Sequence, residues 1–189
     1  MTYALSIGLL SEVVMSKPTP LQKHVMFFDG DGDGVITYFD TKEGLEKLGF
    51  PWWMSFWMAF VINIGLGLTT KSKWYNFMEV RVDNIHLGKH DSDTDIFDEA
   101  GEFDEARFDA WFEENDVDHD GALNSDEFAS FHKRNEEDFF SSFFSRLEFF
   151  FLFTIAHEKV SGVRVLTKSV LKKFYKGDLF PDIARRNGF

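Results

Sequence analysis

Residues 21–40 read LQKHVMFFDGDGDGVITYFD, and this stretch decides the fold because an apolar helical segment runs directly into an acidic, glycine-rich loop. A calcium-binding EF-hand loop has twelve residues, with oxygen ligands at positions 1, 3, 5, 7, 9 and 12 and a glycine at position 6. Here the position 6 residue is Gly34, and both flanks have helical patterns. The predicted ligands are Asp29, Asp31, Asp33, the Val35 carbonyl, Thr37 and Asp40.

Position 12 of this loop departs from the usual pattern. It is Asp40, where EF-hands have glutamate, and the shorter side chain reaches a large Ca²⁺ less easily with both oxygens. We therefore expect weaker calcium binding here, with Mg²⁺ as a competitor. The alternative is a solvated acidic turn, which glycine and aspartate often form.

Residues 101–136 contain a second and more complete loop, with Gly121 at position 6 and Glu127 at position 12. Its predicted ligands are Asp116, Asp118, Asp120, the Ala122 carbonyl, Asn124 and Glu127. The helix before it has an apolar face, formed by Phe103, Phe108, Trp111 and Phe112. EF-hand loops usually pair through short strands at position 8, so we expect Ile36 and Leu123 to lie on adjacent strands.

His24 lies just before the first loop. It shares one face of the predicted helix with Leu21, Val25 and Phe28, because these residues are spaced by three and four. On the pattern alone, a histidine on an apolar face is more often a hydrogen-bonded core residue than a ligand. Both interpretations stay open at this point.

The composition excludes several classes of function. The chain has 20 basic and 32 acidic residues, a net charge of −12, which argues against nucleic acid as a partner because that binding rests on neutralising phosphates. It has no cysteine, which excludes disulfides, zinc–thiolate sites and thiolate-ligated haem. The first residues lack the basic segment and cleavage site of a secretory signal, so we expect a cytosol-facing protein.

No charged residue lies between Lys47 and Lys71. This length suffices for a membrane-spanning helix, and Trp52, Trp53 and Trp57 crowd one end as interfacial anchors do. A single span would put the two loops on opposite sides of the membrane and prevent their pairing. We therefore favour a helix that lies in or dips into one leaflet, then a buried core helix, and last a true span.

The C-terminal part begins with eight phenylalanines between Asp138 and Ala156. This run predicts a core or lipid-facing helix, and the alternative is the wall of a tunnel for an acyl chain. The next segment has the outline of a third loop around Gly162. Its other positions include Lys159 and Lys168, so we expect no calcium there. The chain then ends in a short helix and a capped turn.

Together these motifs resemble the caleosin family, also called plant and fungal peroxygenases. The resemblance covers nearly everything after residue 18 and rests on LQKHVMFFDGDGDGVI, INIGLGL, NIHLGKHDSD, IFDEAGEF and FYKGDLF, which occur in this order. It implies calcium-binding EF-hands, association with lipid droplets and endoplasmic reticulum, and a b-type haem that oxygenates unsaturated fatty acids with a hydroperoxide. The histidines that match the haem-associated positions are His24 and His90.

Two features depart from the family pattern. The uncharged segment is normally followed by a proline-rich knot that directs plant members to oil bodies, and residues 69–80 contain no proline, which puts droplet targeting in question. The second loop is better formed than in many plant relatives, whereas the first ends in Asp40. We therefore expect calcium chiefly in the second loop.

The expected fold is mainly α-helical, with paired EF-hands joined by a two-stranded ribbon between the loops. An apolar membrane-associated helix and a phenylalanine-rich C-terminal helical part complete it. We divide the chain into an N-terminal segment and a caleosin-like domain. The predicted segments are 1–17; 18–50, the first EF-hand; 51–70, the apolar segment; 71–100, the linker with His90; 101–136, the second EF-hand; and 137–189.

The function implied by the resemblance is a calcium-dependent haem peroxygenase on the cytosolic face of a lipid droplet or the endoplasmic reticulum. Its partners would be unsaturated fatty acids, their hydroperoxides and a lipid monolayer or membrane surface, and a homo-oligomer is compatible with the sequence. We provisionally assign His24 as the proximal ligand, and His90 as a displaceable sixth ligand or distal acid–base group. The alternative is a non-enzymatic calcium-binding lipid-surface protein in which both histidines are core residues.

Overall fold

The computed structural model describes residues 17–70, 78–88, 96–134 and 139–189, with side chains from Arg146 onward in the last range. Over these residues the chain is mainly helical, as predicted. The helices are α1 (Pro20–Met26), α2 (Tyr38–Lys47), α3 (Trp52–Thr70), α4 (Glu105–Asn115), α5 (Ser125–Arg134), α6 (Phe139–Ala156), α7 (Lys168–Tyr175), α8 (Leu179–Arg186) and the 3₁₀ helix Val82–Gly88. The strands are β1 (Val35–Ile36), β2 (Val80–Arg81), β3 (Ala122–Asn124), β4 (Glu158–Val160) and β5 (Val163–Thr167).

Both loop motifs are flanked by helices. The two helices that flank the first loop, α1 and α2, have well-defined starts. Thr19 caps α1 and Thr37 caps α2, each accepting a hydrogen bond from the backbone N–H three residues later. In both cases the side chain at that later position, Gln22 or Asp40, accepts a hydrogen bond from the N–H of the capping residue. Such a capping box satisfies two N–H groups that a helix start would leave unpaired. It therefore fixes where each helix begins.

The pairing of the strands differs from the prediction. Ile36 lies opposite Val80 in the antiparallel pair β1–β2, and Leu123 lies opposite Leu166 in β3–β5. The prediction that Ile36 and Leu123 pair with each other is therefore wrong. Each acidic loop instead pairs with a segment that lacks the acidic pattern, because the ribbon needs only an antiparallel strand with a buried apolar residue, and Val80 and Leu166 are both buried.

Helix α3 forms as predicted. Among the described residues, it is the one helix that is long and apolar enough to cross a membrane. One of its faces nevertheless packs on the first helix–loop–helix unit. The buried Asn63 Nδ2 donates to the carbonyls of Ile36 (3.2 Å) and Met78 (2.8 Å), and the Arg81 N–H donates to Thr70 Oγ1 (3.2 Å). The other face is exposed and apolar, with Trp52, Trp53, Phe56, Trp57, Phe60 and Leu68.

The two acidic loops do not pair with each other, so their pairing gives no reason against a membrane span. The hydrogen bonds of Asn63 and Thr70 give a different reason, because they tie the middle and end of α3 to both strands of the β1–β2 ribbon. A helix held in this way leaves only its other face exposed.

Two hydrophobic cores are found in the described part of the chain. The smaller lies beneath the β1–β2 ribbon and contains Val25, Ile36, Val80, Val82 and Ile85. The larger is rich in aromatic side chains from α4 to α8, and it includes Phe108, Trp111, Phe112, Phe128, Phe131, Phe149, Phe151, Phe174, Tyr175 and Phe180. The phenylalanine-rich run is thus a helix, α6, that packs partly in the larger core.

We predict that the chain, which has no cysteine of its own, forms a disulfide when Val35→Cys is combined with Arg81→Cys. These residues are register partners, and directly opposite Cα atoms lie about 4.5 to 5.5 Å apart, within the range that a disulfide bridges. The control is Val35→Cys with Asn124→Cys, the pair expected if the acidic loops paired directly. Disulfide formation in both double variants is measured by mild oxidation followed by non-reducing electrophoresis of tryptic fragments. A cross-link in the control pair alone would contradict the observed register.

Candidate functional site

His24 lies where α1 meets α7 and α8. Its Nδ1 is 3.3 Å from the carbonyl oxygen of Phe174, and its ring packs against Phe174 and Phe180 with centroid distances of 4.5 and 4.7 Å. Since a carbonyl can only accept a hydrogen bond, Nδ1 carries the proton and Nε2 keeps its lone pair. Metal-binding histidines are usually oriented by such a contact through the other ring nitrogen.

The surroundings of His24 keep it neutral. Burial lowers its pKa to about 4, and the hydrogen bond to the Phe174 carbonyl offsets only part of this effect. The residue as a whole is half-buried. A neutral imidazole with a free Nε2 lone pair has the donor chemistry that a haem iron or another metal requires.

The turn after α7 holds the backbone of α1 beside this histidine. Gly177 has a φ of +74°, and a Cβ at this position would lie 2.8 Å from the backbone nitrogen of His24. Lys23 Nζ also lies 3.2 Å from Asp178 Oδ1. The segment FYKGDLF, which the sequence indicated only as a helix and turn, is therefore part of the His24 site. A glycine directly after a helix was the available signal, since such positions often need a positive φ.

His90, the second predicted haem-associated histidine, lies outside the described residues. Its proposed role stays a prediction. The 3₁₀ helix Val82–Gly88 that precedes it packs against α1 and α3. Residues 82–88 of the predicted linker thus lie beside the helix that carries His24.

Each predicted metal loop brings its first three aspartates together. The ligand oxygens of Asp29, Asp31 and Asp33 lie within 4.8 Å of one another, and so do those of Asp116, Asp118 and Asp120. The backbones also match, because φ at position 6 is +81° in both loops and φ at position 4 is +73° or +56°. Such clusters of hard oxygen ligands could hold Ca²⁺ or Mg²⁺.

The two position 12 carboxylates differ in reach. Glu127 accepts hydrogen bonds at both oxygens, from Val117 N–H and from Asn124 N–H, each at 2.9 Å. It therefore spans the second loop from position 2 to position 9. Asp40 instead bonds to Thr37, through the backbone N–H at 2.9 Å and the hydroxyl at 2.6 Å. Asp40 thus contacts only position 9, whereas Glu127 contacts positions 2 and 9, and the difference in calcium affinity stays a prediction.

Comparison with known proteins identifies the family. The family model described as "Caleosin related protein" matches residues 16–184. This chain belongs to the caleosin family. It is 30% identical over 164 residues to the "Peroxygenase" of Lilium longiflorum, covering 85% of this chain and 67% of that protein. It is 33% identical over 139 residues to the "Probable peroxygenase 4" of Arabidopsis thaliana, covering 71% and 70%. No solved structure matches this caleosin significantly.

Surface ion pairs connect α4, the helix that enters the second loop of this caleosin, to the helix that supports His24. Lys172 and Lys176 pair with Glu105, and Lys168 Nζ lies 2.9 Å from Asp109 Oδ1. The lysine hydrogen bonds hold the pKa values of both carboxyls below their usual range. Helix α4, which enters the second loop, is thereby attached to α7, which carries the Phe174 carbonyl.

We predict two classes of calcium site in calorimetric titration, with the tighter one in the second loop because Glu127 spans it. Asp116→Ala should remove the tighter class, whereas the matched variant Asp29→Ala should keep it. Asp40→Glu should strengthen the weaker class. A tight site that survives Asp116→Ala would contradict this assignment.

We also predict that His24 makes haem-free protein less stable in acid. Its pKa is about 4 in the folded protein against 6.5 as the ordinary value, so its contribution is present above pH 6.5 and is lost as the pH falls toward 4. At about 1.36 kcal/mol per pKa unit, this loss is at most about 3 kcal/mol. Urea unfolding of wild type and His24→Gln between pH 7.5 and 4.5 measures it. Parallel stability curves would show that His24 is not held neutral by the fold.

Proposed function

We propose that this caleosin is a calcium-dependent haem peroxygenase that transfers oxygen from a fatty acid hydroperoxide to an unsaturated fatty acid. The observation that carries the proposal is the neutral His24, whose Nδ1 is bound to the Phe174 carbonyl and whose Nε2 can donate to iron. The relatives named as peroxygenases support the same reaction class. In this proposal His24 holds the haem.

The reaction balances without a further reductant. The O–O bond of the hydroperoxide breaks and the hydroperoxide is reduced to an alcohol, while the alkene gains the released oxygen atom and becomes an epoxide. Bound haem supplies the redox chemistry of this two-electron transfer. His90 is proposed as the acid–base group that moves a proton between the two hydroperoxide oxygens. In this proposal only His24 would hold the iron throughout, so that His90 stays available for proton transfer.

Calcium has a structural role in this proposal. Helix α1 ends at Met26 and the first loop begins at Asp29, so a metal in that loop restricts the end of the helix that bears His24. A metal in the second loop fixes α4, which the ion pairs attach to α7. Metal binding and the formation of a functional site are coupled in this way. Calcium removal should therefore loosen haem.

We further propose that α3 lies in one leaflet on the cytosolic face of a lipid droplet or the endoplasmic reticulum. Its packed face is tied to the β1–β2 ribbon, and its exposed face carries three tryptophans and two phenylalanines. Tryptophan is enriched at membrane–water interfaces, and apolar helix faces of this kind insert into the headgroup region.

We predict that His24→Ala and His90→Ala both reduce peroxygenase turnover, but that only His24→Ala abolishes stable haem binding. The reason is that His24 is held by packing and by a backbone hydrogen bond, and a fixed imidazole loses less entropy when it binds iron. Haem retention and epoxidation of oleic acid are measured for both variants, with and without a calcium chelator. His157→Ala is the matched control.

Two results would contradict this reaction. Full haem occupancy and turnover in His24→Ala would overturn the role of His24. Full turnover in both histidine variants would overturn the haem enzyme itself. The competing function is a lipid-surface protein without catalysis, which the exposed face of α3 favours. Purified protein without a Soret band that also cannot be reconstituted with haem would support that function.

We predict that Glu43→Cys and Asp83→Cys are both labelled by an impermeant maleimide added outside intact vesicles. These exposed positions flank α3 on either side in sequence, so a span would protect one of them. Trp57→Glu should weaken vesicle binding at least tenfold, whereas Phe189→Glu, also at an exposed aromatic residue, should not. Labelling of only one cysteine would show that α3 crosses the bilayer.

A further inference from the structure

A groove of about 460 Å³ lies between α5, α6 and β5. Its described lining includes none of the residues that we assign to the haem or to metal ligands. Its floor is mainly apolar, with Phe128, Phe149 and Phe153. Two cationic side chains, Arg146 and Arg164, lie among its lining residues. Ligand pockets commonly have volumes of about 300 to 1,000 Å³ and combine apolar walls with a few polar groups.

Helix α6 separates this groove from His24. Phe149 and Phe153 line the groove, whereas Phe151 packs against Phe180 with a centroid distance of 5.7 Å. Phe180 in turn contacts the His24 ring. The groove and the proposed reaction site therefore lie on different faces of α6, and a ligand in the groove is not placed at His24.

The charges around the groove indicate an anion. Arg164 lies directly opposite Lys159 in the β4–β5 pair, and like charges in this arrangement destabilise a sheet. Among the residues that the structure describes, neither Arg164 nor Lys159 forms an ion pair with a carboxylate. This cationic cluster is unusual in a chain with a net charge of −12. An anion bound between these side chains would relieve their repulsion.

We propose that this groove binds a single long-chain fatty acid, with its carboxylate at Arg164 and Lys159 and its acyl chain along Phe128, Phe149 and Phe153. The apolar floor explains why the ligand carries a chain as well as a charge. The concave shape of the groove fits a single amphiphilic molecule better than a flat membrane surface. The site is independent of the haem reaction, so it can be occupied whether or not His24 holds iron.

The test is equilibrium dialysis of radiolabelled oleate, below its aggregation concentration, with the full-length calcium-loaded protein. Arg164→Glu should weaken one class of oleate site about tenfold, the effect of losing a charged hydrogen bond. This substitution also removes the repulsion between the side chains at positions 164 and 159, so weaker oleate binding would not reflect a destabilised sheet. Ala129→Trp, at an exposed lining position, should block the same class by filling the groove. Arg186→Glu, on α8, is the matched control.

Further experiments identify the chemical class of the ligand and the location of its site. Methyl oleate should bind at least tenfold more weakly than oleate, and inorganic phosphate should not compete. A diazirine-labelled fatty acid should label peptides of α5 or α6, and His24→Ala should leave this labelling intact. Unchanged binding in Arg164→Glu, competition by phosphate, labelling only elsewhere, or binding that requires vesicles would each overturn the proposal.

Discussion

The hydrogen bond between His24 and the Phe174 carbonyl is the contact on which the proposed chemistry depends. It joins the first helix of the described chain to a helix near the C-terminus, 150 residues away. One contact sets the tautomer and the ring orientation, while burial keeps the imidazole neutral. Gly177 allows this close approach, because any side chain there would meet the backbone of α1. The ends of the chain must therefore fold together before His24 has its final chemistry.

Much of the local structure could be predicted from the sequence because local rules govern it. The loop spacing predicted the aspartate clusters, and the spacing of apolar residues predicted α4. The uncharged run and the phenylalanine-rich run predicted α3 and α6. The choice of strand partner could not be predicted in this way. Ile36, Val80, Leu123 and Leu166 are all apolar residues that can occupy the centre of a ribbon, and only tertiary packing decides which two lie together. Our prediction considered only the two acidic loops, and it therefore paired Ile36 with Leu123.

The candidate site was predictable only in part, for a similar reason. His24 was visible on an apolar face, but its partners Phe174 and Phe180 lie in a segment with no acidic or glycine-rich pattern of its own. The ion pairs between α4 and α7 could not be predicted from the sequence either, because lysines and glutamates occur throughout the chain. These contacts connect α4, which enters the second loop, to α7, which carries the Phe174 carbonyl.

The most direct test of the account is resonance Raman spectroscopy of the ferrous, haem-reconstituted protein. The account predicts an iron–imidazole stretching band in wild type and in His90→Gly. The band should be lost in His24→Gly and restored when imidazole is added to that variant, since free imidazole can occupy the space left by the side chain. An unchanged band in His24→Gly would contradict the assignment of His24 as the residue that holds the haem.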